Sequence, residues 1–154
     1  MIPIANFTAA DDLDALRAML REYEAEIGVD LCFQSFAAEL ASLPGDYASP
    51  RGRLLLAYAN GALAGCVALK PVDEATCEMK RLYVRPAHRA SGLGRDLVTR
   101  VIAEARALGF REMRLDTLPS MQQAQRMYER FGFRDIPPYR PNPVPGTRYM
   151  GLAL

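Results

Sequence analysis

Glu78-Met79-Lys80-Arg81-Leu82-Tyr83-Val84-Arg85-Pro86-Ala87-His88-Arg89-Ala90-Ser91-Gly92-Leu93-Gly94 is the stretch on which the reading of this chain turns. Thr76 to Val84 reads as a strand, ended by Arg85-Pro86. Gly92 to Leu108 reads as a helix, with Leu93, Leu97, Val98, Val101, Ala105 and Leu108 on one face and Gly109 placed to end it. Two glycines separated by one residue let the backbone approach a ligand closely. The helix that follows aims free N–H groups and the positive end of its dipole at that ligand, which makes an anion site, most often for phosphate. Arg81, Arg85, Arg89, Arg95 and Arg100 are the cations nearby in sequence. No Gly-Lys-Ser/Thr follows, so this is no Walker A loop. The third glycine of a dinucleotide fingerprint would fall on Leu97. Taken alone, the two glycines equally well only turn the chain into a helix.

Upstream, Ile2 to Phe7 reads as a first strand. Thr8 then offers a capping side chain with Asp11 three residues on, and Leu13, Leu16, Leu20, Tyr23 and Ile27 form one apolar helical stripe. Phe33, Phe36, Ala37 and Leu40 suggest a shorter helix, stopped by Pro44-Gly45. Leu54 to Ala59 and Ala62 to Leu69 flank Asn60-Gly61, a strong hairpin signal because a type I′ turn needs positive φ at both central residues. Downstream, Met113 to Thr117 reads as a strand. Ser120 with Gln123 makes a capping-box pattern before a helix running to about Phe131, with Gly132 after it. Arg134 to Gly146 reads as a loop containing five of the eleven prolines, and Thr147 to Leu154 as a last strand. The order predicts a mixed sheet covered by helices on both faces.

Composition narrows the function. The 154 residues, 50% hydrophobic and 24% charged, suit one globular domain, here 1–154. A net charge of +1 argues against a nucleic-acid partner, and no apolar run is long enough for a membrane span. The first residues lack the basic and apolar regions of a signal peptide. Cys32, Cys66 and Cys77 have no CxxC spacing and read as core thiols in a reducing cytoplasm. With His88 the sole histidine, a Ser-His-Asp triad or a histidine metal site is not expected, and no metal is implied.

The segment from Glu78 to Pro86, running into Arg89-x-x-Gly92-x-Gly94, strongly resembles the GCN5-related N-acetyltransferase (GNAT) family, whose pyrophosphate loop reads Gln/Arg-x-x-Gly-x-Gly/Ala between a strand and a helix. Ala124-x-x-x-Tyr128-x-x-x-Gly132-Phe133 matches the family's next motif. The order of elements fits nearly the whole chain. The resemblance implies an α/β (α+β) fold with a mixed, mostly antiparallel twisted sheet of about six to seven strands. It implies acetyl-CoA, or another acyl-CoA, as co-substrate. Pyrophosphate would lie on Arg89, Ala90, Ser91, Gly92, Leu93, Gly94 and Arg95. Pantetheine would pair with Leu82, Tyr83 and Val84, beside a notch where this strand splays from the next. The family often carries Asn three residues before the alanine. Here Met121 stands there, so that hydrogen bond is either absent or supplied by Ser120.

An amine that attacks a thioester must be neutral, and the departing thiolate must gain a proton. By the resemblance, Tyr128 is the candidate acid; periodicity alone would make it a core residue beside Met121, Ala124, Met127 and Phe131. Glu78 is the candidate base, with a solvated or ion-paired glutamate beside Lys80 as its bland counterpart, and ordered water as the alternative base. The acceptor site, a small-molecule amine's by this reading, would be walled near Phe33 and by Tyr139, Arg140 and Asn142 of the proline-rich loop, where Arg140 hints at a carboxylate. None of the cysteines suggests a covalent intermediate. Dimers are common in the family, so a homodimer is among the implied assemblies. The rival functions are a non-catalytic acyl-CoA sensor and an acetyltransferase acting on protein N-termini or lysines.

Overall fold

The computed structural model describes residues 2–28, 31 and 35–154. Seven strands, β1 (Ile4–Asn6), β2 (Arg53–Ala59), β3 (Ala62–Pro71), β4 (Thr76–Val84), β5 (Glu112–Thr117), β6 (Arg134–Asp135) and β7 (Arg148–Ala153), form one sheet. Their order is β1-β2-β3-β4-β5-β7-β6, and β4–β5 is the parallel pair in an otherwise antiparallel ladder. The mixed, mostly antiparallel sheet is the one expected.

Helices α1 (Leu13–Ile27) and α2 (Phe36–Ser42) cover one face; α3 (Leu93–Ala107) and α4 (Gln122–Phe131) cover the other. Period-two alternation assigns the sheet's side chains to these layers. Leu54 and Leu56 pack with Leu16, Met19 and Leu20, whereas Leu55 packs with Leu97, Val101 and Met113. β2 is buried on both faces, which is why it reads as an unbroken apolar run rather than an alternating one. Asn60 and Gly61 have φ of 53° and 80°, as the hairpin signal predicts.

Several boundaries differ from the sequence expectation. Asp12, not Thr8, caps α1: its Oδ1 accepts from Asp14 N at 2.9 Å and Ala15 N at 3.1 Å. Thr8 N instead donates to Asp11 Oδ2 at 2.7 Å and closes the preceding turn. Asp is as good a cap as Thr and lies nearer the first apolar position. The Ser120–Gln123 capping box does not form; Met121 stands at the cap of α4 without a side-chain bond. β6 is a two-residue strand at the start of the segment read as a loop, paired with β7 where no neighbour covers the sheet edge.

Two irregularities in β4 set the geometry of the centre of the sheet. It pairs with β5 through Thr76, Cys77 and Glu78 alone. Beyond Glu78 the strands part, leaving a gap in the middle of the sheet. On its other side, the register with β3 slips between Cys66↔Tyr83 and Ala68↔Lys80. The extra residue is accommodated at Arg81, a non-glycine with φ of 60°. Beside the slip, Gly65 has no Cβ because one would lie 2.6 Å from the Tyr83 carbonyl oxygen.

Candidate active site

The gap opens into a narrow cleft of about 50 Å³ that is open to solvent. Leu82 of β4 and Asp116 of β5 form its walls, Tyr23 of α1 meets it from one face, and Tyr128 of α4 from the other. Because side chains of both helical layers line it, the cleft pierces the sheet. Burial, reinforced by the Asp116 charge, raises the Tyr128 phenol well above its ordinary value. Its hydroxyl has no hydrogen-bond partner among the described residues.

At one mouth of the cleft lies a basic groove between β4, the start of α3 and α4. Val84, Arg89, Arg95, Arg126, Met127 and Arg130 line it. Pro86–Ser91 forms a 3₁₀ turn, and Gly92, with φ of 82°, swings the chain into α3. Nothing lies within 4 Å of where a Gly92 Cβ would sit, so the requirement there is conformational. At Gly94 the nearest neighbour of such a Cβ is a Val84 methyl at 3.8 Å. The helix start is left open for a large anion, and Arg95, Arg126 and Arg130 have no carboxylate partner among the described residues. The loop therefore suits a pyrophosphate, which Arg89 to Arg95 and the two arginines of α4 could hold.

Not every cation counted from the sequence is available to that anion. Arg81 binds Glu39 with two bonds of 2.9 Å and lies over the rings of Tyr23 and Phe36. Arg85 pairs with Glu22 at 2.7 Å, and Arg100 donates to Ile4 O at 3.1 Å. Arg89 borders the groove, but donates to Val84 O at 2.9 Å and to the Glu26 carboxylate at 2.6 Å. Arg126 and Arg130 were missed, although their i,i+4 spacing puts both on one side of α4.

Leu82, Tyr83 and Val84 lie on β4 past the point where β5 departs. Tyr83 turns its ring into the α1 layer and donates from Oη to Glu26 at 3.1 Å. Ala90 and Ser91 sit in the 3₁₀ turn, and Leu93 is anchored in the core. Ser120 is exposed and lines neither cleft nor groove, so the missing asparagine is not replaced from there; Met121 lines the cleft itself.

Glu78 does not stand where a base facing the gap is expected. It is fully buried and borders neither cleft nor groove. Arg140 donates to its Oε1, and Tyr139 Oη to its Oε2 at 2.8 Å. Its place on β4 before the splay turns it toward the β6–β7 loop. Arg140 is correspondingly committed and is not free to hold an acceptor carboxylate. The Tyr139 ring packs edge-on to Tyr149 at 5.3 Å with the Arg114 guanidinium above it. Asn142 lines the cleft while its Oδ1 accepts from Val144 N at 2.9 Å. Phe33 lies outside the described residues. The cleft residues with no sequence signal are Tyr23, Lys80 and Asp116. Desolvation drives the Lys80 ammonium down to about 8 against the favourable charges of Glu78 and Asp116.

A gap in the sheet beside a basic, glycine-marked loop, with a phenol lining it, is the arrangement of an acyl-CoA-dependent transferase. Residues 13–133 match the model of the acetyltransferase (GNAT) family, and the chain belongs to that family. It is 41% identical over 155 aligned residues to an uncharacterised N-acetyltransferase of Schizosaccharomyces pombe, covering 99% of this chain and 95% of the relative. An acetyltransferase from Streptococcus agalactiae has the same fold, with a TM-score of 0.83 at 22% identity, covering 99% of this chain and 98% of that one. So does PaiA N-acetyltransferase from Thermoplasma acidophilum, solved with coenzyme A: TM-score 0.79, 21% identity, 100% and 99% coverage. The chain is an N-acetyltransferase. No helix of the described residues is long and apolar enough to cross a membrane. Among those residues no group of His, Cys, Asp and Glu is arranged to hold a metal.

Proposed function

We propose that this enzyme transfers acetyl from acetyl-CoA to the primary amine of a small molecule by direct attack in a ternary complex. The observation that carries the reading is the cleft through the sheet at the β4–β5 splay, with the basic groove at one mouth and Tyr128 facing in. The thioester supplies the activated acetyl group. Leu82 to Val84 offer it a strand edge, and the loop from Arg89 to Arg95, with Arg126 and Arg130, holds its pyrophosphate. The narrowness of the cleft favours a small acceptor over a bulky one, and Tyr23 and Asn142 border it.

Tyr128 protonates the departing thiolate. Its raised proton affinity keeps the phenol protonated at neutral pH, and the same desolvation raises the affinity of a thiolate beside it. A covalent acetyl-enzyme on either described cysteine is disfavoured: burial pushes the Cys66 and Cys77 thiols up to about 12, leaving almost no thiolate, while Cys32 lies outside the described residues. Those thiols agree with a reducing cytoplasm. We read the chain as one domain, because both cores share one sheet. The test is CoA release from acetyl-CoA against a panel of amines, amino acids and peptides, with Tyr128→Phe in parallel. An acceptor lost in the variant supports the reading. Silence from a protein that still binds acetyl-CoA would turn it toward a macromolecular acceptor or an acyl-CoA sensor.

A further inference from the structure

We infer that Asp116 is the catalytic residue that binds the acceptor's ammonium and takes its proton. The inference rests on the acetyltransferase reading and supplies the base that Glu78 does not. Asp116 stands on β5 past its last pairing with β4, on the wall of the splay. Its Oδ2 is the one buried side-chain oxygen or nitrogen among the described residues that has no hydrogen-bond partner. An unpartnered buried carboxylate oxygen is costly, and a protein keeps one where a ligand completes it. The group that completes this one lies in the cleft, opposite Tyr128, and must carry donors and positive charge. A primary ammonium has both.

The surroundings fit. Tyr23 of α1, Lys80 of β4 and Tyr128 of α4 line the cleft with Asp116, and Tyr139 and Arg140 of the β6–β7 loop and Tyr149 of β7 lie within reach of its charge. The negative charge of Asp116 is felt at each of them. The cations are already engaged electrostatically: Arg140 by Glu78, and Lys80 by both acids. The acceptor's ammonium gives one proton to Asp116, which passes it to solvent. The freed nitrogen attacks the thioester carbonyl; the C–N bond forms as the C–S bond breaks. The thiolate takes the phenol proton of Tyr128, and the nitrogen's second proton restores the phenol. Amide, CoA thiol and one released proton balance the step.

The test compares Asp116→Asn with wild type on the best amine of the panel and on hydroxylamine, whose nitrogen is already neutral at pH 7. Acetyl-CoA affinity and thermal midpoint are measured on both proteins, with Asp116→Glu as the conservative variant. Expected is a loss of about 100-fold or more in kcat/KM for the protonated amine, below about 10-fold for hydroxylamine, unchanged acetyl-CoA binding, and partial recovery in Asp116→Glu. Equal losses on both acceptors, or no loss, overturn the assignment while leaving the acetyltransferase reading intact. A wild type that binds acetyl-CoA and acetylates no panel member overturns that reading, and this inference with it. An Asp116→Asn protein that does not fold while Asp116→Glu folds but shows none of the acceptor dependence also overturns it.

Discussion

Replacing Glu78 by Gln separates a base from a residue that holds the acceptor loop. The carboxylate is fully buried, and the Arg140 side chain is 25% exposed. Breaking a fully buried ion pair by removing one partner costs about 3–5 kcal/mol. Part is recovered here, because the guanidinium can turn toward water and the replacing amide still offers Tyr139 Oη an acceptor. About 2–3 kcal/mol remains. At about 2–4 °C per kcal/mol for a chain of this size, the thermal midpoint falls by about 4–12 °C. The loop keeps its second anchor, the 2.9 Å bond from Tyr149 Oη to Arg140 O, so it loosens rather than leaves. The acceptor KM rises by about tenfold, the equivalent of 1.4 kcal/mol, while kcat and acetyl-CoA affinity stay close to wild type and the low-pH limb of the rate profile keeps its midpoint. Steady-state kinetics from pH 6 to 9, with a thermal melt, read all of these. A kcat reduced by 100-fold or more, with that limb abolished and KM unchanged, would make Glu78 the base and refute the reasoning. The double variant Glu78→Gln/Arg140→Met, which leaves no unpaired charge, recovers part of the lost stability.

Tyr128→Phe removes a hydroxyl without a partner, so it leaves the melting temperature nearly unchanged while turnover falls by about 100-fold or more; equal turnover in the two proteins would remove the acid role. Arg126→Gln or Arg130→Gln each weakens acetyl-CoA binding by about 10-fold if it loses a charge-assisted phosphate contact; calorimetry at two salt concentrations checks this, and an affinity independent of both residues and salt would place the phosphates elsewhere. Gly65→Ala sets a Cβ 2.6 Å from the Tyr83 carbonyl and costs about 2 kcal/mol or more by strand displacement; chemical denaturation reads it, and an unchanged midpoint contradicts the close approach. Lys80 binds its proton less tightly folded than unfolded, about 8 against an ordinary 10.5. The unfolded chain therefore holds more protons between those values, and this group's contribution to stability rises with pH across about 8 to 10.5. Lys80→Met should flatten that rise in unfolding free energy.

Legibility in the sequence depends on range. The hairpin, the apolar stripes of α1 and α3 and the glycine-marked anion loop are set by residues within a turn or two of one another, so periodicity and φ requirements reveal them. The caps failed locally, where Thr8, Asp11 and Asp12 compete as acceptors and proximity to Leu13 decides. The candidate site was legible where a motif carries it: Gly92 and Gly94 stand at the start of α3, and Tyr128 lines the cleft. The site was not legible where pairing across the sheet decides. Glu78 and Asp116 are both acids on neighbouring strands. The register Glu78↔Arg114 makes one the last paired residue and leaves the other two positions beyond, in the opening. No spacing within either strand distinguishes them. The commitments of Arg81 and Arg85, two of the cations near the loop in sequence, were hidden for the same reason, because Glu39 and Glu22, their partners, lie 42 and 63 residues away.

The bulge at Arg81 links the two halves of the site. A left-handed non-glycine residue costs about 1–2 kcal/mol, and here that cost is offset by the Glu39 ion pair and the rings of Tyr23 and Phe36. Without the bulge, strand alternation would send Arg81 to the α3 face and Leu82 to the α1 face. With it, the Lys80 and Arg81 side chains both face the acceptor-side layer, while Leu82 turns toward α3 and borders the cleft. The helices that bound the acceptor side therefore grip the residue that sets the backbone of β4 at the strand edge offered to the thioester. A change in α2 at Glu39, with no side chain in the cleft, should then alter the strand edge at Leu82 and Tyr83. Glu39→Gln should weaken acetyl-CoA binding although the pyrophosphate loop, Arg126 and Arg130 are untouched. Calorimetry on that variant checks the link, and an unchanged affinity with an unchanged Arg81 backbone would sever it.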